Sequence, residues 1–153
     1  MTFLEKRIPP PLVGILVGVA AWLVARQFAP TTLPAAPRLA VAAGFFVLGL
    51  WLAGTAARTF SRAKTTLNPI KPEASTSLVT HGIFARSRNP MYLGMASWLL
   101  GWSAWLGTPA GLLGPILFVL YMNRFQIGPE ERALGQLFGA EYARYKNTVR
   151  RWL

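Results

Sequence analysis

The stretch that decides the fold runs from Asn89 to Asn123 and reads NPMYLGMASWLLGWSAWLGTPAGLLGPILFVLYMN. None of its 35 residues is Asp, Glu, Lys or Arg. A helix rises about 1.5 Å per residue and needs roughly 20 residues to cross a bilayer core, so this run is too long for one crossing and just long enough for two. Gly107-Thr108-Pro109 stands near the middle and predicts a turn. We therefore expect a tight helical hairpin with arms near Pro90–Leu106 and Pro109–Asn123.

Two further apolar stretches precede this hairpin. The residues from Ile8 to Ala25 and from Leu39 to Ala57 include no charged side chain. Each stretch has about the length of one membrane crossing, which predicts spans over Pro10–Phe28 and Arg38–Arg58. The first stretch resembles a signal peptide, but prolines open it and no small-residue cleavage site follows it. We interpret it as a retained span.

Charge indicates how the spans are oriented. The chain has 153 residues, is 53% hydrophobic and carries a formal net charge of +11. Its basic residues cluster before the first span, between the second span and the hairpin, and after the hairpin, so four spans place all three clusters on one side. The positive-inside rule predicts that both termini are cytoplasmic, in the inner or plasma membrane of a prokaryote. We assign the basic residues to anionic lipid headgroups and expect no nucleic-acid partner.

These observations predict an all-α integral membrane protein with four transmembrane helices, followed by a C-terminal amphipathic helix at the cytoplasmic face. The single domain, 1–153, divides into two N-terminal spans (1–58), a cytoplasmic connector (59–88), the hairpin (89–123), and a cofactor-side helix with its tail (129–153). Within the connector, Thr65–Thr76 is predicted as loop and Leu78–Thr80 as a short extended piece. The face of the last helix would carry five apolar and aromatic residues: Leu134, Leu137, Phe138, Tyr142 and Tyr145. Small residues in the first two spans (Gly14, Gly18, Gly44, Gly49, Gly54) are interpreted as packing positions.

Residue usage excludes most familiar catalytic sites. The chain has no Cys, no Asp and a single histidine, His81. Neither a Ser-His-Asp triad nor a cysteine or histidine-rich metal site can be assembled, and we expect no metal. The hairpin would bring Leu78–Gly94 close to Pro129–Tyr145 at the cytoplasmic ends of its arms. Carboxylates there could bind ribose hydroxyls or a cationic amine, and aromatic rings could stack on a base or face a sulfonium.

Each of these residues also has a purely structural interpretation. Glu130-Glu131 suits the first turn of a helix, where acidic residues favour the positive end of the dipole. Arg86 and Arg88 suit interfacial anchors, and His81 suits a turn or cap. From the residues alone the reaction stays open.

The chain resembles the isoprenylcysteine carboxyl methyltransferases and the related phospholipid N-methyltransferases over about Thr65 to Leu153. The family pattern is an LVT-x-G-x-Y/F segment, then R-H/N-P-x-Y-x-G, a hydrophobic hairpin, E-E-x-x-L and F-G-x-x-Y. The matching segments here are LVTHGIF from Leu78, RNPMYLG from Arg88, EERAL from Glu130 and FGAEY from Phe138. The order and spacing of four motifs make the resemblance specific.

The resemblance implies S-adenosylmethionine as cofactor and a lipid or lipid-modified acceptor. Carried over by position, the cofactor contacts would be Thr76, Ser77, Leu78, Val79, Phe84, Asn89, Pro90, Met91, Tyr92, Glu130 and Glu131. Acceptor contacts would be Arg124 and Gln126, because the prenylcysteine enzymes place a carboxylate-binding arginine four residues before the motif glutamate, where this chain has Gln126. Asn89 stands where many members have histidine, and Phe84 where tyrosine is common.

Methyl transfer from a sulfonium mainly requires alignment in a dry site, which fits the scarcity of titratable groups. A carboxylate acceptor needs no base, whereas an amine acceptor must lose a proton, for which Glu131 or His81 is the candidate. We therefore expect an S-adenosylmethionine-dependent methyltransferase most like isoprenylcysteine carboxyl O-methyltransferase. The alternatives are a phospholipid N-methyltransferase and a non-catalytic membrane scaffold. The oligomeric state is open.

Overall fold

The structure is a computed structural model that describes residues 5–63 and 77–153. Every regular element in these two ranges is helical. The α-helices are α1 (Pro10–Ala25), α2 (Ala35–Arg62), α3 (Pro90–Leu106), α4 (Leu113–Tyr121) and α5 (Gly128–Thr148), joined in part by 3-10 helices at Gly82–Ala85 and Pro109–Leu112 and by a π-helix at Met122–Ile127. The predicted all-α class is confirmed for the described residues.

Within residues 5–63 and 77–153, two helical runs are long and apolar enough to cross a membrane. They are Ala35–Arg62 and the run Pro109–Thr148, and a shorter apolar helix is Pro10–Ala25. The first helix ends at Ala25, three residues before the end of the predicted first span. The second helix extends past the predicted limits of the second span at both ends. The count of four spans stays a prediction.

The hairpin forms where the sequence predicted it. α3 begins at Pro90, whose fixed φ suits the first helical position, and ends before Gly107, which adopts a left-handed φ of 68°. The second arm opens with a 3-10 turn at Pro109. The Gly107 carbonyl oxygen also accepts a 2.7 Å hydrogen bond from the Thr31 amide, which ties the first loop to the hairpin turn. The four helices pack with α2 along α3, and α1 against α3 and α4.

The last helix contains an internal break that was not predicted. The chain runs from α4 through the π-helix into α5 with helical backbone angles at both junctions. The break comes at Gly139, with φ 49° and ψ −121°, a conformation that favours glycine. This break divides the predicted apolar face, so that Tyr142 and Tyr145 are buried while Leu137 stays 45% exposed.

Residues 78–80 form no regular structure and lead into the 3-10 helix at Gly82, so the predicted extended piece is not part of a strand. The predicted loop at Thr65–Thr76 lies outside the described residues. The first residues of the predicted connector, from residue 59, form the last turn of α2.

Two glycines allow α2 and α3 to approach closely. A Cβ added to Gly49 on α2 would lie 2.7 Å from the Gly94 carbonyl oxygen, and one added to Gly94 on α3 would lie 2.8 Å from the Gly49 carbonyl oxygen. Backbone atoms cannot rotate away, so only glycine fits at either position. The packing role is therefore confirmed for Gly49, but it is not observed at Gly44 and Gly54, where an added Cβ would meet none of the described residues within 4 Å.

We predict opposite effects for alanine at Gly49 and at Gly54, five residues apart on α2. Gly49→Ala forces the two backbones apart and should lower the free energy of unfolding by about 1–3 kcal/mol. At Gly54 an alanine side chain meets no described neighbour and favours the helix more than glycine does. Gly54→Ala should therefore raise the free energy of unfolding by roughly 0.5–1 kcal/mol. Thermal unfolding in detergent measures both, and equal effects of the two substitutions would contradict this packing.

Candidate functional site

The centre of the candidate site is a single carboxylate oxygen, Oε1 of Glu130. The Tyr92 hydroxyl donates to it over 2.6 Å, and Gln126 Nε2 donates to it over 2.6 Å. Tyr92 lies in the first turn of α3, Gln126 in the π-helix and Glu130 in the first turn of α5. The expected convergence of the two hairpin ends is therefore observed, and it is made through hydrogen bonds between side chains.

The second oxygen, Oε2, accepts no hydrogen bond from the described residues. Glu130 lies beyond the end of the second hairpin arm. Burial of its carboxyl group raises its pKa to about 7. The hydrogen bonds from Tyr92 and Gln126 and the positive charge of Lys6 act in the opposite direction, while the neighbouring Glu131 adds to the rise. The carboxylate can thus take or release a proton near neutral pH.

Glu131 has a different environment. Arg151 Nε and Nη2 bind its two oxygens at 3.0 and 2.7 Å, Arg88 Nη2 lies 3.1 Å from Oε1, and Lys146 Nζ lies 3.8 Å from Oε2. The fork from Arg151 is the bidentate geometry that carboxylates favour. Three cations surround one carboxylate, so both oxygens are engaged by this chain's own side chains.

The C-terminal tail after α5 closes over this region. The Arg150 carbonyl accepts from the Arg88 amide at 3.1 Å, and the Arg151 carbonyl accepts from Asn89 Nδ2 at 2.9 Å. The Trp152 indole donates to Asn123 Oδ1 over 3.0 Å. Asn89, which stands at the family's histidine position, is therefore held by the tail.

The segment before α3 packs as an apolar wall against α2 and α5. Val79 and Phe84 are each 5% exposed and form a core cluster with Ala56 of α2. The Phe84 ring meets Phe60 edge to face at 4.9 Å, and its carbonyl accepts a 2.7 Å hydrogen bond from the Tyr145 hydroxyl. The buried half of α5 thereby anchors the 3-10 helix.

The remaining predicted cofactor contacts lie on the same wall. Ser77 Oγ donates to the Ala63 carbonyl at 3.5 Å, Leu78 and Met91 are half-buried, and Pro90 is fully buried. Thr76 lies outside the described residues. His81 is exposed, and its side chain makes no hydrogen bond or ion pair within the described ranges, so the structure does not bring it to either glutamate.

The two predicted acceptor contacts separate. Gln126 is 1% exposed and bound to Glu130. Arg124 is exposed and pairs with Glu5 at 3.4 Å, and Arg132 binds the other oxygen of Glu5 at 2.7 Å. The Lys6 amide donates to the Phe125 carbonyl at 3.0 Å. Glu5 and Lys6 therefore pack against the π-helix and the first turns of α5.

Comparison with known proteins identifies the family. A family model described as phospholipid methyltransferase matches residues 37–141, more than half of the chain. The chain belongs to the phospholipid methyltransferase family. No solved structure matches it.

Several relatives of this phospholipid methyltransferase family member carry a more specific name. It is 32% identical over 106 residues to the protein-S-isoprenylcysteine O-methyltransferase of Saccharomyces cerevisiae, covering 67% of this chain and 43% of the relative. It is 35% identical over 106 residues to protein-S-isoprenylcysteine O-methyltransferase B of Arabidopsis thaliana, covering 67% and 52%. An uncharacterized protein of Haemophilus influenzae is 52% identical over 63 residues, which are 41% of this chain and 100% of that protein. The chain spans about half the length of the two named relatives.

The sequence did not point to several residues that shape the site of this family member. Arg88 was assigned to the membrane interface, and Arg151, Trp152 and Asn123 were given no role. The available signal was an unusual tail, in which two arginines and a tryptophan follow the last helix. Glu5 gave none, because its partners lie 119 and 127 residues away in sequence.

We predict a pH dependence of stability that originates at Glu130. Its folded pKa lies above its ordinary value of 4.5, so the folded state binds this proton more tightly. That contribution to stability is complete below about pH 4.5 and is lost as pH rises through about 7. Glu130→Gln should flatten the fall in stability across this window, whereas the exposed Glu141→Gln should leave it in place. Unfolding midpoints at pH 4.5 to 8 check this, and parallel curves for wild type and Glu130→Gln would contradict it.

Proposed function

We propose that this protein is an S-adenosylmethionine-dependent methyltransferase that acts on a lipophilic acceptor at the membrane, most like an isoprenylcysteine carboxyl O-methyltransferase. The observation that carries the proposal is the convergence of Tyr92 and Gln126 on one oxygen of Glu130. It joins the N-P-x-Y and E-E motifs in one polar site beside an apolar wall. Family membership and the names of the relatives support the reaction class.

The residues present fit the cofactor. Oε2 of Glu130 is open to a ribose hydroxyl or to an ammonium group, and Tyr92 and Gln126 fix the orientation of that carboxylate. S-adenosylmethionine would supply an electrophilic methyl group, and its sulfonium sulfur would become a neutral thioether once the methyl group is transferred. Buried Val79 and Phe84 exclude water from one side. The protein's task is then alignment and desolvation, which it can perform with few titratable groups.

A carboxylate acceptor would already carry a nucleophilic oxygen, so the protein would not have to remove a proton from it. The geometry favours this case over one that needs a base, because Glu131 is bound by Arg88 and Arg151 and His81 is exposed. We therefore assign Glu131 to holding the C-terminal tail in place. Glu130 is the carboxylate left to face ligand.

Phospholipid amine N-methylation is the second candidate. One observation favours it: Gln126 is neutral, buried and bound to Glu130, so this position supplies no cation for an acceptor carboxylate. An amine acceptor would need a proton acceptor, and Glu130, whose pKa lies near 7, is the group with a suitable proton affinity.

We predict that wild type binds S-adenosylmethionine in detergent and that Glu130→Gln binds it at least about tenfold more weakly, as expected for a lost charge-assisted hydrogen bond. Glu141→Gln is the matched control and should bind as wild type does. Calorimetry measures all three. No binding by wild type would contradict the methyltransferase and leave the non-catalytic scaffold, and unchanged binding by Glu130→Gln would contradict the role of Glu130.

The acceptor class is tested with methyl-labelled cofactor. N-acetyl farnesylcysteine should yield a base-labile methyl ester, and phosphatidylethanolamine should yield no product. A base-stable methylamine from phosphatidylethanolamine, without the ester, would instead support the second candidate.

We further propose a four-span arrangement with both termini cytoplasmic, in a prokaryotic plasma membrane, with residues 1–58, 59–88, 89–123 and 129–153 in the roles set out above. The chain lacks cysteine, so single substitutions can be labelled without background. Thr32→Cys should react with an impermeant maleimide in intact cells, and Glu141→Cys should react only after permeabilisation. The reverse pattern, or reaction of both in intact cells, would contradict this topology.

A further inference from the structure

Arg88 has a buried guanidinium group that this chain only half satisfies. Its side chain is 9% exposed, and Nη2 pairs with Glu131 at 3.1 Å. Nε and Nη1 are buried and have no hydrogen-bond partner among the described residues. Buried polar groups in folded proteins nearly always find a partner, and unmet donors on a charged group are especially unfavourable. These two nitrogens, which carry three N–H groups, therefore indicate a missing acceptor.

The charges around Arg88 show what kind of group is missing. Glu131 is the carboxylate paired with it, and Arg151 and Lys146 share that same carboxylate. Three cations thus face one anion, and the local excess is positive. Tyr142 also belongs to this cluster: burial raises the pKa of its hydroxyl to about 12, while the charge of Arg88 and a side-chain hydrogen bond with Arg88 act in the opposite direction. The group complementary to the unpaired Nε and Nη1 is an anion, and a carboxylate is suited because it accepts charge-assisted hydrogen bonds from guanidinium N–H groups.

The position of Arg88 connects it to the candidate site. It precedes Asn89 and stands four residues before Tyr92, whose hydroxyl binds Glu130. Its ion-pair partner Glu131 is the neighbour of Glu130 in sequence. The Arg88 amide is fixed by the Arg150 carbonyl, so the backbone that carries the guanidinium is held by the tail.

We propose that Arg88 binds the carboxylate of a ligand in this site, through the N–H groups that the chain leaves unpaired. The inference rests on the proposed methyltransferase function. The methyl donor carries such a carboxylate on its amino-acid end, together with an ammonium group that Glu130 can face. An isoprenylcysteine acceptor carries one too, so the experiment must separate the two sources.

The test compares two cofactors that differ in that carboxylate. Calorimetry in detergent measures binding of S-adenosylmethionine and of decarboxylated S-adenosylmethionine to wild type, Arg88→Met, Arg88→Lys and Arg86→Met. Arg86 is exposed, two residues away, and serves as the matched control for loss of an arginine. We expect Arg88→Met to weaken S-adenosylmethionine binding by about tenfold or more and decarboxylated cofactor by less than about twofold. Arg88→Lys should recover part of the loss, and Arg86→Met should bind both as wild type does.

The outcomes separate this inference from the proposed function. If wild type binds neither cofactor, the proposed function fails and the inference fails with it. If wild type binds and Arg88→Met weakens both cofactors equally, only the inference fails, because the loss then reflects structure. If cofactor binding is unchanged but the KM for N-acetyl farnesylcysteine rises about tenfold, Arg88 binds the acceptor's carboxylate. If neither cofactor binding nor this KM changes, Arg88 binds no ligand carboxylate. Thermal unfolding of each variant verifies that it is folded.

Discussion

The hydrogen bond from the Tyr92 hydroxyl to Glu130 connects the parts of the chain on which the site depends. Tyr92 begins one arm of the hairpin, and Glu130 follows the end of the other. Burying a carboxylate costs free energy unless hydrogen bonds replace those it made to water. Gln126 supplies a second donor to the same oxygen. Because both donors go to Oε1, the carboxylate has a fixed orientation, and Oε2 accepts no hydrogen bond from the described residues. We propose that this oxygen faces the ligand.

A second set of interactions places the chain's C-terminus against the same elements. Glu131 holds Arg151, and the tail's carbonyls take hydrogen bonds from Arg88 and Asn89. For the tail to reach back, the last helix has to change direction, and Gly139 provides that break with a backbone conformation that other residues rarely adopt. The F-G-x-x-Y motif therefore has a structural meaning: the glycine turns the helix, and Tyr142 and Tyr145 then become buried.

The hairpin and its turn could be predicted from sequence because they depend on local properties. A charge-free run of known length, a helix-starting Pro90 and a glycine at the turn were sufficient. The approach of α2 to α3 could not be predicted fully, because Gly44, Gly49 and Gly54 look alike in sequence and only their partner's position distinguishes them. The path of α5 was also missed, because nothing in the sequence marks Gly139 as a break, whereas the helix continues without interruption through Gly128-Pro129.

The sequence predicted that the two hairpin ends meet, and Tyr92, Gln126 and Glu130 are in contact there. Gln126 was predicted as an acceptor contact, so its bond to Glu130 was not foreseen. The sequence could not separate the roles of Glu130 and Glu131, because adjacent identical residues differ only in which way the helix turns them. One meets hydrogen-bond donors and keeps an oxygen open, and the other meets three cations. The role of Arg88 likewise depends on burial, which a short basic segment does not reveal.

We propose that the ligand binds beside Glu130, between the two hairpin ends, where Tyr92 and Gln126 hold the Oε1 atom of this glutamate. The most direct test is an experimental structure of the full chain with S-adenosylhomocysteine bound. The account predicts a hydroxyl or ammonium group of the ligand within hydrogen-bond distance of Glu130 Oε2, with Tyr92 and Gln126 still bound to Oε1. A ligand bound elsewhere, or a Glu130 side chain that turns away from Tyr92 and from the ligand, would contradict it.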